Sequence, residues 1–182
     1  FGGQSHFHPL EFIRQIAEKL TIYEHTNVLE VDEHFVITDR HVVVADNIIF
    51  ATHYPFPIVP GYYFLRQHQS RSYAIAIEGG SVPERLDGMY YGIDCDGLSF
   101  RHADGKLIVG GGSHRTGKKM GGFCYLREQI KKHYPNATET AHWAAQDCMP
   151  HDGIPFIGRF SMKHENWYVA TGFQKWGMTT AM

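Results

Sequence analysis

The sequence predicts a mixed α/β chain, with α/β segments at its two ends and a largely antiparallel sheet between them. Three observations predict it. Helical-period apolar residues near the N-terminus give way to short β-rich runs, an Asp-Gly pair in the middle separates two alternating stretches, and a short apolar strand near the C-terminus runs into a helix start. A chain of 182 residues is long enough for a sizeable core. Its 43% hydrophobic and 14% aromatic content is that of a globular protein.

The first element is a helix from Pro9 to Leu20. Leu10, Ile13, Ile16, Ala17 and Leu20 recur at helical spacing, and Pro9 suits the first helical position. Short strands are expected at Thr21 to Glu24, Asn27 to Val31, Phe35 to Thr38 and His41 to Ala45. The last three are separated by Asp32-Glu33-His34 and Asp39-Arg40, which makes a meander. Asn47 to Ala51 is a compact apolar run that reads as a buried strand. The proline-rich stretch Tyr54 to Pro60 breaks regular structure and marks a crossing between lobes.

Beyond it the pattern is antiparallel. Ser72 to Glu78 alternates, with Tyr73, Ile75 and Ile77 on one face, and Gly88 to Asp94 supplies a second strand. Leu98 to Ala103 and Lys106 to Gly110 flank Asp104-Gly105, a pair that tolerates the positive φ angles of a type I′ hairpin turn. A helix from Phe123 to Tyr134 ends before Pro135, and a strand around Thr140 to Gln146 leads back to the first lobe. The division is therefore 1–54, 55–141 and 142–182. The chain starts at Phe1, not Met, and stops at Met182 as a helix should begin, so an excised segment of a longer protein is expected.

Charge excludes several functions. With 17 basic and 19 acidic residues the net charge is −2, which gives no footprint for nucleic acid or an anionic membrane surface. No apolar run has transmembrane length and no signal peptide is visible. Cys95, Cys124 and Cys148 lack C-x-x-C spacing, which favours reduced thiols and a cytoplasmic setting. The 13 histidines include His6 and His8, His102 and His114, and His142 and His151, but none has the tight spacing of a metal site, so no metal is expected. Gly112 to Lys119 nearly matches the P-loop pattern, yet Lys119 replaces the magnesium-binding hydroxyl and the preceding strand belongs to a hairpin. A glycine-rich loop leaving a strand is the expected reading there.

The C-terminal region carries the chemistry. Asp152-Gly-Ile-Pro-Phe-Ile-Gly158 precedes Asn166-Trp-Tyr-Val-Ala-Thr-Gly-Phe-Gln-Lys-Trp-Gly-Met178, in which an apolar strand meets a polar elbow at Thr171-Gly172 and then a helix start. Such a turn lets backbone N–H groups approach an electron-rich ligand. The pair resembles the C-terminal signature of FAD-dependent oxidoreductases of the D-amino-acid oxidase and glycine oxidase family. Further likeness lies in Phe7 to Phe12, in Thr26 to Val31, and in Asn47 to His53, where His53 replaces the family's usual glycine.

The resemblance implies a partial FAD-binding lobe with a β-meander at the two ends (1–54 and 142–182) and an antiparallel substrate-binding lobe between them (55–141). It implies FAD contacts at Val28, Ala51, Thr52, Gly172, Lys175, Trp176, Gly177 and Met178. Val28 would meet the adenosine portion through its backbone. Lys175 and the helix start would face the flavin edge that becomes anionic on reduction. No G-x-G-x-x-G follows a strand in this sequence, so the pyrophosphate cradle is expected upstream. Some bacterial relatives with a similar F-x-K-W-G-M ending carry a Rieske domain farther downstream, which would add a 2Fe-2S cluster outside this segment.

The implied activity is oxidation of a C–N bond in a small amine or amino acid by hydride transfer to flavin. The competing reading is a non-catalytic binding or regulatory module that retains the fold. Arg101 is the candidate for a substrate carboxylate, because a guanidinium binds it bidentately, with Arg115 as a second cation and Tyr90 and Tyr91 as hydroxyl donors. No acid or base is assigned.

Overall fold

The computed structural model describes residues 3, 5–94 and 97–180. Cys95 and the two chain ends named above lie outside them. The chain forms two compact units, residues 1–48 and 49–182.

In the first unit, α1 (Pro9–Ala17) starts where the sequence places it, with Pro9 in the first turn and the His8 ring capping the Glu11 N–H at 3.3 Å. It stops three residues short of Leu20. β1 (Val28–Val31), β2 (Phe35–Thr38) and β3 (Val42–Val44) form the expected antiparallel meander. The Asp39 carboxylate accepts from the Asn27 backbone and side chain and closes one end. Thr21 to Glu24 is not a strand: it is exposed and irregular. A β-prone tetrapeptide with no ladder partner gains nothing from being extended.

The second unit holds two sheets. β4 (Ile48–Phe50) lies beside β11 (Trp167–Thr171), which pairs antiparallel with β10 (Phe156–Arg159). Aromatic rings join them: Phe50 sits 4.8 Å from Phe160 and 5.3 Å from Trp167, and Tyr63 packs 5.1 Å from Phe160. The Tyr63 hydroxyl donates to the Phe160 carbonyl at 2.9 Å, which satisfies its polar end. Tyr63 comes from a short 3₁₀ turn, Tyr63–Leu65, that the sequence pattern did not announce.

The larger sheet has the order β6-β7-β8-β5-β9, with all four neighbouring pairs antiparallel. Its strands are β5 (Gln67–Glu78), β6 (Tyr90–Tyr91), β7 (Ser99–Ala103), β8 (Lys106–Arg115) and β9 (Thr138–Pro150). The β7–β8 hairpin turns at Asp104 (φ 50°) and Gly105 (φ 73°), the two positive φ angles its sequence anticipates. β5, β8 and β9 are longer than their periodicity suggested, while β6 shrinks to two residues of the expected seven. α2 (Gly122–His133) covers one face, where Ile75, Ile77, Leu107, Val109 and Leu126 form a core. Each such side chain contributes roughly 1.5–3 kcal/mol on burial. β9 runs unbroken through position 141. Among the described residues no helix is long and apolar enough to cross a membrane.

Candidate active site

Alternation sends the other side chains of the large sheet to the face opposite α2. By register that face carries Ser72, Ala74 and Ala76 of β5, Ala141, Trp143 and Ala145 of β9, Ile108 and Gly110 of β8, and Ser99 and Arg101 of β7. Most of these are small. Within this unit the helix that packs on the sheet is α2, which touches β5 and β8 from the other side. The result is a shallow floor of alanine, serine and glycine, with half-exposed Trp143 at one margin.

Polar groups stand at opposite ends of this floor. At one end the Lys175 ammonium lies 2.6 Å from Asp147 Oδ2 and also donates to Ser72 Oγ. At the other end Arg101 shares a row with Ile108 and Ala76, and its Nε is buried without a partner among the described residues. Four residues along β5 and two strands across, the Cα positions of Ser72 and Arg101 are about 16 Å apart by strand geometry. A small amino acid does not span that gap. Tyr91, cross-strand from Ser99, joins the Arg101 face, whereas Tyr90 pairs with Phe100 and turns toward the α2 side. Both tyrosines border a cavity of about 790 Å³ at the sheet edge.

The remaining flavin candidates of this unit gather around the end of β11. Gly172 has φ +79°, and a Cβ there would meet Pro150 Cγ at 2.6 Å, so the fold itself demands glycine. Ala51 and Thr52 follow β4, and Thr52 Oγ1 donates to the Tyr54 carbonyl at 3.0 Å. His53 has φ +66°, the conformation glycine favours, so the histidine keeps the turn that a glycine would make. Its carbonyl accepts from the Thr171 hydroxyl and from Cys148 Sγ at 3.3 Å. Burial pushes the Cys148 thiol up, which keeps it protonated and inert. Exposed Trp176 precedes the short helix α3 (Gly177–Thr180), which also holds Met178. In the other unit, exposed Val28 opens β1 and lines an apolar cavity of about 840 Å³ with Val36, Val42 and Val44.

Gly177 tests whether these residues suit a flavin. A Cβ there would touch only Phe173 Cβ at an ordinary 3.7 Å, and the backbone is not left-handed. Among the described residues nothing requires glycine at 177, in contrast to Gly172. The open backbone leaves room for a flat ligand to approach. With a helix start at Gly177 and the Lys175 ammonium two residues away, the residues present fit an electron-rich ring edge.

Sequence reading named Lys175, Gly177 and Arg101 but not Asp147 and Ser72, which bond Lys175, or Ser113, which bonds Ser72; only the β5–β9 and β5–β8 pairings bring these together. The one available signal was the small-residue alternation Ser70, Ser72, Ala74, Ala76 opposite Tyr73, Ile75 and Ile77. The P-loop-like segment is strand for its first half, since Arg115 pairs with Ser70 and His114 with Arg71. Its amides do not form a phosphate cradle. Among the described residues no three of His, Cys, Asp and Glu are gathered as a metal site needs.

The chain is thus a mixed α/β fold, with a β-meander in the first unit and, in the second, a three-stranded sheet and a five-stranded antiparallel one. The chain belongs to the FAD dependent oxidoreductase (DAO) family, whose description matches residues 1–182. It is 32% identical to YhfW of Bacillus subtilis (strain 168), provisionally named a Rieske 2Fe-2S iron-sulfur protein, over 98% of this chain and 38% of that one. The fold is similar to glycine oxidase from Geobacillus kaustophilus (TM-score 0.64, 18% identity, 86% of this chain and 45% of that one). It is also similar to L-proline dehydrogenase from P. horikoshii (TM-score 0.66, 17% identity, 93% and 50%). The chain thus spans half or less of the length of these relatives, and at such identities the structural likeness describes the fold.

Proposed function

We propose that the protein containing this chain oxidises the C–N bond of a small amine or amino acid, with residues 1–54 and 142–182 contributing to the FAD lobe and 55–141 forming the substrate lobe. The observation that carries the reading is the small-residue floor, with the Gly177 turn reaching one end and Arg101 standing at the other. Bound FAD would supply the two-electron acceptor for oxidation of the C–N bond. Ala51, Thr52, Gly172 and Lys175 to Met178 would hold the cofactor on this unit. Arg101 takes the substrate carboxylate, replacing the partner its Nε lacks, and Tyr91 offers a hydroxyl on the same face. Tyr90 assists from the sheet edge. Names of the similar structures support an amino-acid substrate: glycine oxidase, L-proline dehydrogenase and an L-amino acid deaminase from Proteus vulgaris.

The test is the full-length protein. It should be yellow, and anaerobic addition of the correct amine or amino acid should bleach the flavin bands. A colourless protein that takes up no added FAD would favour the non-catalytic module instead. The YhfW likeness supports a downstream 2Fe-2S cluster as one-electron partner of the flavin. Low-temperature electron paramagnetic resonance of the dithionite-reduced full-length protein should then show a Rieske signal, and its absence would remove the cluster from the scheme.

A further inference from the structure

We propose that Asp147 is a positioning residue: its carboxylate holds the Lys175 ammonium against the small-residue floor and so fixes the turn that faces the flavin. This inference rests on the FAD site proposed above. The Ser72 hydroxyl donates to Asp147 Oδ2 at 3.3 Å and accepts from Ser113 Oγ at 3.2 Å and from Lys175. A hydroxyl has one proton and two lone pairs, so all of its capacity is committed to this cluster. The Asp147 side chain is 18% exposed against 46% for Lys175, which sets a largely desolvated carboxylate against a cation that reaches in from solvent. Removing the cation would leave that carboxylate short of its main partner, so the pair is worth more than an exposed one.

The rest of the turn shows why this tie matters. Gln174 has φ +55°, a strained setting for a side chain, and is fastened by its N–H to the Cys148 carbonyl at 3.1 Å and by Nε2 to the Gly153 carbonyl at 2.8 Å. Those bonds anchor the start of the turn to the end of β9 and the loop after it. Trp176 beyond it is exposed. Lys175, two residues before Gly177, fastens the turn to the sheet floor through its side chain.

The experiment uses the full-length apoprotein titrated with FAD by fluorescence quenching, with visible circular dichroism of the bound flavin as a second readout. Asp147→Asn and Lys175→Met should each raise the FAD Kd about three- to tenfold, and the double variant should be no weaker than the worse single, as coupled partners require. Both singles should alter the flavin dichroism in the same way while the apoprotein Tm stays within a few degrees, a pattern that a general loss of stability would not give. Asp147→Glu and Lys175→Arg, which keep the charges, should recover most of the affinity. If Asp147→Asn does not fold, Lys175→Arg against Lys175→Met decides, and equal loss in the two overturns the proposal. So does wild-type affinity in Asp147→Asn, or a double variant whose effect is the product of the singles. A wild-type protein that binds no FAD would overturn the flavin site itself, whereas a wild type that binds and an Asp147→Asn that binds equally well overturns the positioning role alone.

Discussion

The two faces of the five-stranded sheet are built from the same strands and differ in side-chain size. On one, Tyr73, Ile75, Ile77, Leu107 and Val109 meet α2 and are sealed around Leu126. On the other, Ser72, Ala74, Ala76, Ser99 and Gly110 leave a floor that, among the described residues, α2 does not cover. Large apolar side chains close a face by burying their own area. Small ones gain little by packing together and leave room for a flat ligand. The comparison teaches that one alternating strand can specify a core and an open small-residue face at once.

The comparison is broken most strongly from the closed side. Leu126→Ala should destabilise the protein by about 2–5 kcal/mol, as buried leucine truncations do, measured by urea unfolding. Ala74→Leu on the floor should change stability by less than about 1.5 kcal/mol yet exclude FAD. Normal flavin content in Ala74→Leu would show that the floor is not where the ring lies.

Next in size is the cofactor turn. Gly177→Val should lose FAD while far-ultraviolet circular dichroism stays nearly unchanged, because the chain has space for the side chain that the ring would need. Full occupancy in this variant would move the flavin elsewhere. Lys175→Met should be gentler, retaining FAD at saturating cofactor but lowering its reduction potential, because a cation near the ring edge favours the anionic reduced form.

Arg101→Ala sharpens the contrast between the two ends of the floor. It should raise KM about ten- to a hundredfold, the loss expected for a charge-assisted pair, with flavin content normal. An unchanged KM for the true substrate takes Arg101 out of the site.

The smallest effect concerns the fastening of α2 to β9. Arg127 donates twice to Glu139 at 2.8 Å, and that hydrogen bond holds the Glu139 carboxyl below its ordinary range. A carboxylate with a lowered folded pKa contributes stability above its unfolded pKa and loses it as pH falls through the folded value. Glu139→Gln should therefore lower Tm slightly at neutral pH, and the difference from wild type should vanish once acid has protonated the native carboxylate. A difference that persists in acid would assign the effect to packing.

Much of this was legible in residues taken one at a time or in short runs. Asp104-Gly105 specifies its hairpin because both positions need positive φ, and Pro9 with His8 marks the start of α1. Thr21 to Glu24 was misread because strand formation depends on a ladder partner that a tetrapeptide does not contain. His53 looked like a departure from glycine, yet its φ of +66° is a conformation that glycine favours.

What the sequence determined by itself were local choices: helical period, turn chemistry, and the alternation that gives β5 one large-residue face and one small-residue face. Tertiary structure decided which side chains meet across strands. Asp147, Ser72 and Lys175 stand 75 and 28 residues apart along the chain, as do the donors and acceptors of their bonds. Only antiparallel pairing of β5 with β9, and the return of the chain through β11, brings their atoms within hydrogen-bond reach. Periodicity reports which face a residue occupies, whereas long-range register fixes its neighbours.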